Sequence, residues 1–211
     1  MRILYVTGIV VLLDQLTKIF IKGISIPALG IDIKGMLLGE SIPIFGDVLQ
    51  LTFIENPNMA FGIELGGKLF LSLFALIAST VLLAYLYRVR EEKFLLRLAL
   101  AFVLGGAFGN LFDRIFYGVL FGYGGFFDGN VVDFIDLNLF TINWGSFHFK
   151  FWPIFNIADS AVSLGVVTLL LVYRPKHQTL EASDASSSVT PTDVSSTTDA
   201  QPDQSTTVSS T

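Results

Sequence analysis

Phe94-Leu-Leu-Arg-Leu-Ala-Leu-Ala-Phe-Val-Leu-Gly-Gly-Ala-Phe-Gly-Asn-Leu-Phe-Asp-Arg114 is an almost unbroken apolar run that ends in Asn110, Asp113 and Arg114. The apolar part, Phe94 to Phe112, has the length of a helix that crosses a hydrocarbon core, which takes about 20 residues. Gly105 and Gly109 have the small-xxx-small spacing that lets two helices approach closely. Working outward, three more runs of this kind appear, at 3–21, 69–87 and 154–173. The 211-residue chain is 52% hydrophobic and only 15% charged, and its mean hydropathy is +0.66. A soluble domain of this size carries more charge. The expected fold is therefore an all-α polytopic membrane protein with four transmembrane helices.

The formal charge of -5 comes from the end of the chain, where residues 177–211 hold five of the 18 acids and none of the 13 bases. The rest is charge-balanced and offers no basic field for nucleic acid. There is no cysteine, which excludes disulfides, thiolate metal sites and a cysteine nucleophile. His148 and His177 are far apart without ligand-like spacing, so no metal site is expected. Hydrolysis by this chain would have to use carboxylates or hydroxyls.

The first apolar run is interrupted by Asp14, Gln15 and Lys18 and is not followed by a small-residue cleavage motif, so it reads as a retained helix. Arg88, Arg90, Lys93 and Arg97 crowd the link between the second and third runs, and Arg174 and Lys176 follow the fourth. Positive charge collects on the cytoplasmic side. Both termini are then cytoplasmic, and the connections 22–68 and 115–153 lie outside. The first connection alternates around residues 48–55 and is punctuated by Pro43, Gly46 and Pro57, which predicts a small extracytoplasmic β-sheet, or cradle, at about 40–64. The second is rich in glycine and aromatic residues from Tyr117 to Phe127, as in a loop that seats its rings among lipid headgroups. The domain reading is a membrane body over 1–176 and a Ser/Thr-rich, low-complexity cytoplasmic tail over 177–211, too polar to order itself.

Charges within a span cost about 2.5 to 3.5 kcal/mol or more, so each needs a partner or a function. Asp14 and Lys18 sit four apart in the favourable order for an ion pair, which is first of all a structural role. Asp133 and Asp136 interrupt an apolar stretch, and Trp152-Pro-Ile-Phe-Asn-Ile-Ala-Asp-Ser160 opens the fourth run with Asn156 and Asp159 on one helical face. Asp159 has no base within a helical turn. Two carboxylates brought together near a membrane surface share a proton, so one can act as base on a water while the other polarises a carbonyl. On the residues alone, an aspartyl protease and a proton-coupled transporter built on the same acids stay equally open, and a non-catalytic scaffold for precursors is a third reading.

Taken in order, Asp14-Gln-x-Thr-Lys18, Asn56-x-x-x-Ala-Phe61, Gly105-Gly-Ala-x-Gly-Asn-x-x-Asp-Arg114, Val131-Val-Asp-Phe-Ile-Asp136 and Phe155-Asn-x-Ala-Asp-Ser160 resemble the motif series of the lipoprotein signal peptidases (signal peptidase II). The resemblance implies a catalytic pair at Asp133 and Asp159. It implies substrate contacts from Asn56, Gly106, Asn110, Arg114 and Asn156, and support of the fold by Asp14, Lys18 and Asp113. It further implies a diacylglyceryl prolipoprotein as substrate, membrane lipid as surroundings, no cofactor or metal, a monomer, and residence in the bacterial inner membrane with the active site near its outer face. The chain departs from the pattern in having Asn58 where a glycine is usual, and in a long Arg114 to Asp133 spacing filled by the Gly/Phe-rich segment 116–130.

Overall fold

A computed structural model describes residues 2–57, 67–139, 141–144, 147–150 and 153–172. The chain divides into two units, Met1–Arg174 and Pro175–Thr211, and all described residues belong to the first. The tail expected over 177–211 lies outside them.

Four helices form on the four apolar runs: α1 Leu4–Lys22, α2 Gly67–Arg88, α3 Phe94–Leu120 and α4 Ile157–Val172. The first three are long and apolar enough to cross a membrane, and α4 is a shorter apolar helix of 16 residues. Their outward faces are lined by large apolar side chains such as Tyr5, Phe20, Phe74, Ile77 and Leu170. Such faces suit hydrocarbon as solvent, because lipid removes the penalty that water would impose on them.

The chain is not all-α, and that part of the expectation is corrected. Seven strands are present among the described residues. β1 Gly23–Ile26 and β2 Ile31–Lys34 form a hairpin, β6 Thr141–Trp144 and β7 Phe147–Lys150 form another, and β3 Ser41–Phe45, β4 Leu49–Asn56 and β5 Val131–Leu137 make one antiparallel sheet in the order β3-β4-β5. The connections are too rich in β-branched and aromatic residues, broken by Gly and Pro, to stay helical. The sheet falls where the cradle was expected and recruits a third strand from the second connection. Residues 58–66 of that expected range lie outside the described ones.

Two helix limits differ from the sequence reading. α3 runs on past Phe112 to Leu120, a helix about 40 Å long. The polar residues that suggested an end at 112 find partners on other elements, so the helix need not stop for water. It ends at Phe121, followed by Gly122 in the left-handed region (φ 69°), with the Tyr123 and Gly124 N–H groups both donating to the Gly118 carbonyl at 3.0 Å. α4 starts at Ile157, not 154, because Phe155 pairs with Ile135 as a fourth, single-residue rung beside β5.

α3 is the central helix, packed on α1, α2 and α4. Its glycines make this possible. A Cβ on Gly105 would lie 2.8 Å from Val10 Cβ on α1, and one on Gly106 would lie 2.1 Å from the Ala158 carbonyl oxygen on α4. One apolar cluster (Ile3, Leu86, Leu100, Ala101, Leu104) closes the end of the bundle near the α2–α3 link. The other (Ile21, Phe53, Tyr117, Val132, Phe134) seats the sheet on the opposite end, against the last turns of α1 and α3. The acids of β5 and of α4 meet at that second end.

Candidate active site

Asp133 comes from β5 and Asp159 from the first turn of α4, and the backbone pairing of Phe155 with Ile135 brings the two elements together. Asn156 joins them. It caps α4: its Oδ1 accepts from the Asp159 N–H at 2.9 Å, while its own N–H donates to Asp159 Oδ2 at 3.2 Å. This is a capping box with Asn and Asp in place of the usual Ser and Glu. The same Asn156, fully buried, donates from Nδ2 to Asp133 Oδ1 at 2.6 Å and to the Val132 carbonyl at 3.2 Å. One residue thus binds both carboxylates, Asp133 through its side-chain amide and Asp159 through its backbone N–H.

Asn110, on α3, donates to Asp159 Oδ1 at 2.7 Å, and its Oδ1 accepts from Asn156 Nδ2 at 3.1 Å and from Lys18 Nζ at 3.0 Å. Asn56, at the end of β4, donates to Asp133 Oδ2 at 3.3 Å. Asn56 faces Asp133 because of a bulge. Leu51 pairs with Ile135 but Ile54 pairs with Asp133, so β4 carries one extra residue there. Without it, Phe53 would oppose Asp133 and Glu55 would share its face; a one-residue shift turns every later side chain over. With it, Glu55 points the other way and pairs with Lys22, and Asn130 also donates to Glu55 at 2.9 Å. The Lys22 ammonium lies 4.3 Å from the Phe121 ring centre and 5.1 Å from that of Tyr123. The long segment after Arg114 is thereby tied to the sheet beside the site.

Lys18 lies fully buried between Asp14 (2.8 Å) and Asp113 (2.7 Å), both also fully buried. The ion pair expected within α1 is present, and Asp113 completes a triad with it. Asp14 Oδ1 accepts from the Ala158 N–H at 2.9 Å and Asp113 Oδ2 from the Val132 N–H at 3.2 Å. The two acids therefore fix the backbone beside Asp159 and Asp133. Gln15, not singled out from the sequence as a site residue, donates to Asp113 at 2.8 Å and accepts from the buried Tyr117 hydroxyl at 3.0 Å. Its position next to Asp14 in the first motif was the available signal. Arg114 is half-buried and within electrostatic reach of Asp113, Asp133 and Asp159. Gly106 sits at the α3–α4 contact. Asp136 points away from Asp133, as residues three apart on a strand do, and accepts from Thr52 at 3.0 Å.

Burial, then the neighbouring charge of Asp159, pushes the Asp133 carboxyl up to about 7. Asp133 is 3% exposed, whereas Asp159, Asn56 and Asn110 are half-buried, so the pair has one dry side and one open side. A carboxyl that holds its proton more tightly when folded stabilises the fold below its ordinary value near 4, and this contribution is lost as pH rises toward 7. The melting temperature of Asp133→Asn minus that of the unsubstituted protein is therefore expected to rise from pH 4 to pH 8. A difference that stays flat would show that Asp133 is not held protonated.

A carboxylate pair, one member buried and the other half-buried, held at one end of an apolar bundle and lined by amides, is equipped to activate water. The model of the signal peptidase (SPase) II family matches residues 6–174 of this chain. The chain belongs to the signal peptidase II family. It is 38% identical over 197 residues to the lipoprotein signal peptidase of Porphyromonas gingivalis, covering 80% of this chain and 82% of that one. It is 39% identical over 166 residues to that of Halalkalibacterium halodurans (77% and 85% covered). The lipoprotein signal peptidase of Syntrophus aciditrophicus shares 35% over 173 residues (80% and 89%). Two bacterial membrane enzyme structures obtained by the in meso method, at 2.3 and 1.9 Å resolution, match with TM-scores of 0.58 and 0.57 at 28% identity. They cover 81% of this chain and 85% and 90% of theirs. The signal peptidase II match includes the triad, the amides and both catalytic candidates, and ends before the Ser/Thr-rich stretch.

Proposed function

We propose that the chain is an intramembrane aspartyl endopeptidase that removes the signal peptide from diacylglyceryl-modified prolipoproteins, cutting just before the lipidated cysteine. Membership of signal peptidase II makes it a protease of prolipoprotein signal peptides. The observation that carries the catalytic reading is the bridging of Asp133 and Asp159 by one buried residue, Asn156. In this reading the pair holds a single proton at neutral pH, and each step belongs to the pair as a unit. The ionised member takes a proton from water as its oxygen attacks the scissile carbonyl, and the protonated member gives its proton to the carbonyl oxygen. The gem-diol then collapses. The C–N bond breaks, the amine leaves with the proton taken from water, and the second proton returns to the pair. Asn56, Asn110 and Arg114 border the open side, where amides can hold an extended substrate backbone through donor and acceptor together, while Asn156 is fully buried beneath the pair.

The same reading places four spans in the bacterial inner membrane. The Arg/Lys-rich α2–α3 link and both termini are cytoplasmic, and the sheet and acids lie at the outer face, in a monomer. A diacylglyceryl substrate fits that arrangement, because its acyl chains stay in lipid while its peptide bond meets water. The test is cleavage by the purified chain in lipid of one precursor with and without the diacylglyceryl group. Cleavage of the modified form alone is expected, with unchanged turnover after truncation beyond Gln178. Equal cleavage of both precursors would remove lipid recognition from the proposal, and cleavage of neither would remove the activity.

A further inference from the structure

Asn110 hydrogen-bonds both Lys18 of the triad and Asp159. Its amide has two ends of opposite character, and which end faces the carboxylate decides whether that contact attracts or repels. Lys18 Nζ has donors and no acceptor, so it admits only the Asn110 oxygen, at 3.0 Å. Asn156 Nδ2 donates to that oxygen as well. The NH2 group is left for Asp159 Oδ1, at 2.7 Å. A reversed amide would set NH2 against the ammonium and a carbonyl oxygen against the carboxylate. The orientation of an amide is fixed by its network, and here a full positive charge fixes it.

We propose that Lys18 is a positioning residue of the catalytic pair, acting through Asn110: it locks the amide so that an N–H, and never the carbonyl, meets Asp159. This goes beyond the ion pairs that hold α1 to α3, and it rests on the reading of Asp159 as a reacting carboxylate. The charged groups around the path are Asp14 on α1, Asp113 and Arg114 on α3, and Asp133 on β5. Asp14 and Asp113 hold the ammonium in place. The ammonium in turn holds the amide.

Two experiments in lipid, with diacylglyceryl-modified precursor, test this. Asn110→Asp keeps an acceptor for Lys18 but presents oxygen to Asp159. It is expected to fold and to lose about 100-fold or more in kcat, a larger change than any in KM from the loss of an amide beside the substrate. A purely structural Asn110 would show the damage in melting temperature and leave kcat of the folded protein near normal, and that outcome would overturn the proposal. The second is a cycle of Lys18→Met and Asn110→Ala. Lys18→Met strands two buried acids, a cost common to both arms that cancels in the cycle, and melting temperatures are recorded beside kcat and KM. Lys18→Met is expected to cost at least about tenfold more in kcat when Asn110 is present than when Asn110→Ala is in place. Equal losses in both arms would mean that Lys18 does not act through Asn110. Full activity of Asp159→Asn would instead overturn the underlying assignment of the pair, whatever the cycle gives.

Discussion

Asp133→Asn and Asp159→Asn are each expected to lower the turnover of a diacylglyceryl-modified prolipoprotein by about 10³-fold or more while leaving the protein folded and able to bind it. The two carboxyls enter the proposed reaction as one proton-sharing unit, so loss of either removes the ability to take and return a proton. Asparagine is nearly isosteric and keeps an oxygen. At position 159 it can still accept the Asn156 N–H bond that closes the capping box, so α4 keeps its start. At position 133 it can accept the short bond from Asn156 and no longer carries a charge into a dry site. Melting temperature, substrate capture and single-turnover cleavage are the three measurements. Residual turnover above a tenth of the normal rate in either variant would sink the dyad. Loss of folding in both would assign these acids to structure.

Gly106→Ala is expected to damage stability and turnover together. The added methyl would lie 2.1 Å from the Ala158 carbonyl oxygen and 2.7 Å from Val162 Cγ2. The nearer atom is backbone in the first turn of a helix, which cannot swing aside as a flexible side chain can. Overpacking of this kind costs about 1 to 3 kcal/mol or more, and close glycine contacts are a main source of helix association in lipid. Asp159 follows Ala158 directly, so pushing α4 away lengthens the 2.7 Å bond from Asn110, and a kcat loss of about tenfold or more should accompany the fall in melting temperature. Gly8→Ala is the control, since a Cβ there meets nothing within 4 Å; its effect should stay within about 0.5 kcal/mol. A Gly106→Ala protein of normal stability with a raised KM would instead make Gly106 a substrate contact.

Much of this architecture was legible in the chain. Apolar length placed the four helices, because burial of about 20 apolar residues leaves little else for such a run to do. The polar residues inside those runs marked the candidate site, because each is costly in lipid without a partner. The Asp14–Lys18 pair followed from helical spacing alone. The limits of α3 and α4 did not follow. Polar residues that look like a helix end in sequence are satisfied in α3 by Lys18, Gln15 and the Val132 N–H, and Pro153 precedes α4 by several residues because Phe155 is claimed by β5.

What the sequence determined by itself was local: helix-forming runs, strand-forming connections, the absence of thiols, and two acids with no adjacent base. What only the tertiary structure decided was which groups meet. Lys18 lies 95 residues from Asp113 in sequence and 2.7 Å from it in space, and periodicity within one element says nothing of a partner on another. The bulge in β4 is the sharpest case. It gives Asn56 and not Glu55 to Asp133, and a one-residue offset between strands leaves no mark in the composition of either, since it is settled by the pairing of both with the helices beneath them.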